Sequence, residues 1–197
     1  MTFSVTQSGK PFTDYHWDEK TKTFSTEGNN LVLDFNGHNH VDFKTGSHCT
    51  FKTGSDCIFK TGSYCTFKTD LGCIFKTGSF CTFDTGLDCT FDTYSECTFD
   101  TGSHCTFKTG SDCIFKTGHS CTFKADSFCT FDTGPSCVIV RGDVFEVIQP
   151  TEGQTIKLNK LNVPGYTIIK PTHKIIIDGK EIEISEESFL KLKESLA

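Results

Sequence analysis

From residue 33 to residue 147 the chain alternates core-type and surface-type residues for four positions, turns through a small polar corner, and begins again eight residues later. The unit reads Cys-Thr/Ile-Phe-Lys/Asp-Thr-Gly-Ser-x. Its cysteines are Cys49, Cys57, Cys65, Cys73, Cys81, Cys89, Cys97, Cys105, Cys113, Cys121, Cys129 and Cys137. Phenylalanine keeps the same beat two residues later, at Phe51, Phe59, Phe67, Phe75, Phe83, Phe91, Phe99, Phe107, Phe115, Phe123 and Phe131. Phe35 and Phe43 extend the beat upstream, where Leu33 and Val41 stand in the Cys slot. Downstream, Ile139 replaces Phe, and Phe145 with Val147 are expected to continue the apolar pair for one more unit.

Two residues two positions apart lie on one face of a strand, and the residues between and after them face the other way. The first half of each unit is therefore a short strand, with Cys and Phe inward and Thr or Ile and Lys or Asp outward. Thr-Gly-Ser is turn chemistry, since Gly tolerates positive φ and small hydroxyl residues bond nearby backbone. The fifth position accepts Ala125 and the seventh accepts Leu71 and Leu87, whereas the second, fourth and eighth carry the variable and charged residues. Odd positions are expected to face in and even positions out.

Eight residues at ~3.3 Å each give a perimeter of roughly 26 Å, too tight to enclose phenyl rings when packed sheets need about 10 Å between them. Three units would leave a wide centre that two large residues per side do not fill. Two units per coil fit, and a spacing of sixteen stacks His48, Tyr64 and Phe80 into an outward aromatic ladder. The expected fold is all-β: a right-handed, four-sided parallel β-helix, a β-solenoid with two octapeptides per coil. Some seven coils at ~4.8 Å make a rod of roughly 30–35 Å.

Stacked coils leave raw strand edges that need covering. Residues 1–32 hold Phe3, Val5, Phe12, Tyr15, Trp17 and Phe24 outside the octad register and are expected to form an N-terminal cap, with the solenoid at 33–147. Over 148–197 Cys disappears, and Ile175 to Ile184 reads as two strands around Asp178-Gly179, a hairpin signal. Ser185, followed by Glu186 and Glu187, starts an amphipathic helix carrying Phe189, Leu190, Leu192 and Leu196. This C-terminal α+β appendage is expected either to pack on the last coil or to pair with another chain, which would make a homo-oligomer.

Composition changes the picture only by exclusion. The 197 residues include 20 Phe and one each of Met and Trp, so one aromatic is used repetitively rather than as part of a mixed core. Formal net charge is -6 with the signs interspersed, and no basic stripe exists for a nucleic-acid backbone, so direct nucleic-acid binding is not expected. The first residues lack an apolar run of signal-peptide length behind a basic flank, and no stretch approaches a membrane span. The expectation is a soluble protein outside the standard secretory route, with no membrane partner.

Twelve cysteines in a secreted chain would suggest disulfides, but a strict octad ladder lacks the close, irregular spacing of a metal site and sets inward thiols beside Phe. Reduced packing cysteines follow. An outward Thr row raises ice binding, yet Thr50 and Thr98 are followed two residues later by Lys52 and Asp100, and Ile58, Ile74 and Ile114 interrupt the second position. Arg141-Gly142-Asp143 matches the integrin tripeptide, but in register it falls on the corner of the unit that begins at Cys137. The seven histidines are dispersed, and no His, Ser and acid constellation or evident pocket is present. No catalytic, cofactor-binding or metal-ligating residue is expected, and the Cys and Phe ladders are assigned a structural role.

The Cys-Thr-Phe-Lys-Thr-Gly-Ser unit resembles the octapeptide-repeat proteins of Marseillevirus-family DNA viruses that infect amoebae, over about 33–147. The resemblance implies a right-handed, four-sided, non-enzymatic β-helix, made in the infected host's cytoplasm and carried in virions, with no catalytic residues to transfer. In architecture, though not in motif, the chain also resembles pentapeptide-repeat proteins, an analogy that implies nucleic-acid mimicry; the Lys rows run against it. A structural or scaffold protein with protein partners is therefore the leading expectation. A nucleic-acid-mimicking or host-factor-binding module is the alternative, and an ice-binding protein the remote one.

Overall fold

The computed structural model describes residues 2–35, 37–151, 153–170, 172–177 and 180–195. Strands spaced sixteen residues apart lie side by side, so Thr50 pairs with Thr66 and Ile58 with Ile74. Two units thus make one coil. The odd-numbered units build one parallel sheet, from the Leu31–Phe35 strand to the Thr130–Thr133 strand; the even-numbered units build the opposing one, from Thr23–Ser25 to Val138–Arg141. The result is the expected β-solenoid. Parallel pairing begins before the octad register does, at Thr23, which pairs with Asp42.

The core is a zipper of rings. Within each sheet the Phe side chains stack in register, as Phe67 on Phe83 at 4.9 Å and 5°. Between sheets they meet edge to face, as Phe83 with Phe91 at 5.1 Å and 78°. The T-shaped contact sets the positive edge of one ring on the negative face of the next, and such pairs contribute about 0.5–1.5 kcal/mol beyond burial alone. Phe24 and Phe35 extend the zipper downward, and Ile139 closes it above.

Two expectations about the corners are corrected. Positive φ falls on the eighth position rather than on the sixth-position Gly: His48, Asp56, Tyr64, Phe80 and Asp88 all lie between 56° and 59°. The sixth position needs Gly for a different reason, the close approach of the coil below. A Cβ at Gly78 would lie 2.1 Å from Ser63 Oγ and 2.8 Å from Ser63 N. That serine oxygen accepts the Ser79 N–H at 3.1 Å, and Ser47 Oγ accepts the Ser63 N–H at 3.1 Å, so the corner is a hydrogen-bonded stack in its own right. Where Tyr94 takes the Gly slot, Ser79 makes no such bond to Ser95; where Asp126 does, Ser111 Oγ turns to Ser127 Oγ at 3.2 Å. The seventh position therefore faces inward only when small. Ser103 and Ser127 are buried, but Leu71 and Leu87 are 48% and 46% exposed because the next coil leaves no room beneath it. Gly78→Ala is expected to lower stability by about 1–3 kcal/mol through overpacking. Asp126→Ala, at a corner that already holds a side chain, is expected to change it by less than about 0.5 kcal/mol. Urea midpoints of the two variants check this, and equal losses would refute the close-approach account.

The ends are covered by antiparallel strands. Ser4–Gln7 lies on Leu31–Phe35, and His16–Asp18 lies on Thr23–Ser25. Phe3 stacks on Phe35 at 4.1 Å, with Tyr15 and Trp17 packed around it. At the other end Thr155–Leu158 covers Thr130–Thr133, burying Ile156 and Leu158. Glu146–Ile148 returns antiparallel along Val138–Arg141, so the apolar pair expected to continue the octad does not: Phe145 is 97% and Val147 64% exposed. Beyond these, Thr172–Ile177 and Lys180–Ser185 form a separate two-stranded sheet followed by the helix Glu186–Ser195. The proposed turn residues Asp178 and Gly179, and Leu196, lie outside the described residues. Among the described residues no helix is long and apolar enough to cross a membrane.

Candidate functional surfaces

The structure places all of the ladder cysteines and phenylalanines from Cys49 to Cys137 in the core, each at most 2% exposed. The thiols are free and form two columns, one leading into each sheet. Each sulfur sits beside corner carbonyls, as Cys129 Sγ to Gly110 O at 3.3 Å and Cys81 Sγ to Ser79 O at 3.6 Å. A small side chain with a weak S–H donor meets that need, whereas Ala would have none to offer.

Contact with the next thiol in the column, and then burial, push Cys57, Cys65, Cys97 and Cys121 upward. For Cys113 the Cys129 contact, reinforced by burial, raises the value to about 12. The other ends of the same contacts, Cys81 and Cys105, shift down because a neighbouring S–H donates to them. Burial opposes a thiolate at each of these positions, and the neutral thiol is the form that the carbonyl-lined columns favour. Most of the twelve are therefore expected to resist alkylation in the native protein and all to react after denaturation without reductant, read by intact mass. Rapid native labelling of most of them would contradict a buried ladder.

Outward rows run in register along the rod. On one sheet Lys44, Lys60 and Lys76 stack directly above one another, followed by Asp92 and then Lys108 and Lys124. On the other, Thr50, Thr66, Thr82 and Thr98 form a row beside Lys52, Lys68, Asp84 and Asp100. Ion pairs bridge successive coils: Lys108 to Asp92 at 3.0 Å, Lys116 to Asp100 at 3.5 Å and Lys68 to Asp84 at 3.8 Å. All are solvent-exposed, and each contributes at most about 1 kcal/mol. The expected aromatic ladder is present, with His48 on Tyr64 and Tyr64 on Phe80 both at 4.7 Å and 2° or less.

Grooves form where the corner Gly is replaced. Tyr94 and Asp126 flank Gly110 and, with Lys76, Asp92 and Lys108, line a cleft of about 410 Å³. Asp70, beside Lys52, Lys68 and Asp84, helps line a second of about 350 Å³. Both are troughs between charged rows. Among the described residues no group of three or more His, Cys, Asp or Glu side chains is disposed to hold a metal ion.

One polar cluster is built from the Arg141-Gly142-Asp143 corner. Arg141 occupies the inward fifth position and is fully buried. Its guanidinium donates from Nε to Asp143 Oδ1 at 3.1 Å and from Nη2 to Asp143 Oδ2 at 2.5 Å, while Nη1 donates to Val163 O at 2.9 Å. Asp143 also accepts the Asn162 N–H at 3.0 Å, and Glu146 accepts the Gly165 N–H at 2.9 Å. The Arg-Gly-Asp tripeptide is thus a clamp that ties the last coil to the loop 159–165. The one signal that points to it is an Arg in a slot that holds Thr or Ala from residue 45 to residue 133.

Compared with family models, curated proteins and solved structures, the chain shows no significant match, so its surfaces are read from their own chemistry.

Proposed function

We propose that this chain is a non-enzymatic structural or scaffold protein: a stiff rod whose outward rows and C-terminal hairpin and helix engage protein partners. The observation that carries the reading is the unbroken core, in which one octad repeats without an inserted loop and side chains are held outward in straight rows. Each coil contacts only its neighbours, an architecture suited to extended surfaces rather than walled pockets. The Lys44, Lys60 and Lys76 row weighs against nucleic-acid mimicry, which needs a uniformly acidic face. Lys and Asp beside the Thr row weigh against a flat ice-binding array. The resemblance to Marseillevirus-family repeats adds the host cytoplasm and the virion as the place of action. Affinity capture of the tagged full chain from infected cells and purified virions, read by mass spectrometry, tests this. Recovery with structural virion proteins supports the scaffold. Recovery with a polymerase or topoisomerase instead would replace it with the mimicry reading.

A further inference from the structure

The C-terminal unit is half of a core. Its two strands have one apolar face, made by His173 and Ile175 on the first strand and Ile182 and Ile184 on the second. The opposite face carries Thr172, Lys174, Glu181 and Glu183 together with Ile176, which is 77% exposed, and Lys174 bonds to Glu181 at 2.6 Å. The helix covers one end of the apolar face, where Phe189 stacks on His173 at 4.0 Å. It buries no residue completely, and Ile182, Leu190 and Leu192 stay 42%, 48% and 39% exposed. Among the described residues, the strands and helix of this unit contact no other strand or helix. A two-stranded hairpin alone is marginal in water and needs further strands or a packed helix, and the one short helix here leaves part of the apolar face uncovered.

The two edges of this small sheet differ. Lys180–Ser185 alternates Glu with Ile, so pairing with its own copy about Ile182 sets Glu181 against Glu183, and pairing about Glu183 sets that carboxylate against itself. Charges of this kind guard an edge. Thr172–Ile177 presents one charge, Lys174, followed by Ile175-Ile176-Ile177. Antiparallel pairing about Ile175 opposes Lys174 to Ile176 of the partner subunit and no charge to a like charge. With the two-fold axis perpendicular to the sheet, both apolar faces lie on the same side.

We propose that a second copy of this chain pairs along Thr172–Ile177 about Ile175, forming a four-stranded antiparallel sheet with both helices on one face. The two half-covered apolar faces then become one, and the contact is isologous, so it closes at a dimer rather than growing a fibre. The inference rests on the scaffold reading only for its use: a monomer that still captures structural partners would remove the dimer and leave the scaffold.

The test uses the full chain. Sedimentation equilibrium is expected to give about twice the 21.9 kDa of one chain, and Ile175→Lys, which opposes two ammonium groups across the two-fold axis, is expected to return it to one. Directly opposed residues on an antiparallel ladder have Cα atoms about 4.5–5.5 Å apart, within disulfide range. Ile175→Cys should therefore cross-link to a covalent dimer on mild oxidation, while Glu183→Cys on the guarded edge should not. A monomeric wild-type chain, or cross-linking through Glu183→Cys in place of Ile175→Cys, overturns the proposal.

Discussion

Deleting residues 81–88 is expected to leave a cooperatively folded rod, whereas deleting only residues 85–88 is expected to destroy it. Each octad is half a coil, and both sheets use the same Cys and Phe slots, so removing one octad moves everything above it half a turn about the axis. Cys89 and Phe91 would then stand over Cys65 and Phe67, and Phe99 over Phe75. The outward rows also survive, because Asp92 lands above Lys68 and Asp100 above Lys76, replacing the Lys68 to Asp84 pair that is lost. The loss is one repeat and its interfaces, each kcal/mol of which lowers the melting temperature of a chain this size by roughly 2–4 °C. Removing 85–88 instead takes out a corner and joins two strands end to end. Every inward column above the junction then faces a Thr-Gly-Ser corner below it. A misplaced Phe forfeits about 1.5–3 kcal/mol of burial, and a few such losses exceed the roughly 5–15 kcal/mol by which a domain is stable. Circular dichroism melts and light scattering separate the outcomes. A shorter deletion that melts as cooperatively as the longer one would refute the half-coil equivalence.

The sequence revealed the coil because the same information is repeated at every turn: a Cys and a Phe two apart, twelve Cys at one spacing, and His48, Tyr64 and Phe80 aligned only at sixteen. What it did not reveal depends on contacts between coils. Leu71 and Leu87 look like inward residues by type, but the corner backbone of the next coil passes too close; the nearest atom to a Cβ at Gly102 would be Leu87 Cδ2, at 2.6 Å. Positive φ at the eighth position is equally hidden, since that slot accepts Tyr, Phe and Glu as well as the His and Asp that favour a left-handed backbone. Phe145 fits the octad by type and fails by topology, because the chain has already reversed into the Glu146–Ile148 return strand. Of the candidate surfaces, the ladder residues were legible and the Arg141 clamp was not, since its partners lie two residues and about twenty residues away.

Arg141→Ala is expected to destabilise the C-terminal cap by about 3–5 kcal/mol, because it leaves the Asp143 carboxylate without its cation in a largely dry site. Burial pushes the Asp143 carboxyl up, but the Arg141 hydrogen bond, the Asn162 N–H and the Arg141 charge together hold it below its ordinary value of 3.8. A carboxyl lowered by folding contributes stability above that ordinary value and loses it as pH falls through the lowered one. The wild-type cap should therefore weaken below about pH 4. In Arg141→Ala burial acts unopposed by the guanidinium, the carboxyl rises, and the variant already lacks the contribution at neutral pH. The stability gap between the two proteins is thus expected to be widest near pH 7 and to narrow in acid. Replacing both partners, as Arg141→Met with Asp143→Leu, removes the buried charges together and should recover much of the loss. Hydrogen exchange over residues 159–165, with urea midpoints at neutral and acid pH, reads the effect where the clamp acts. A gap that stays constant with pH, or a single variant as stable as the double one, would show that this pair does not hold the last coil to its cap.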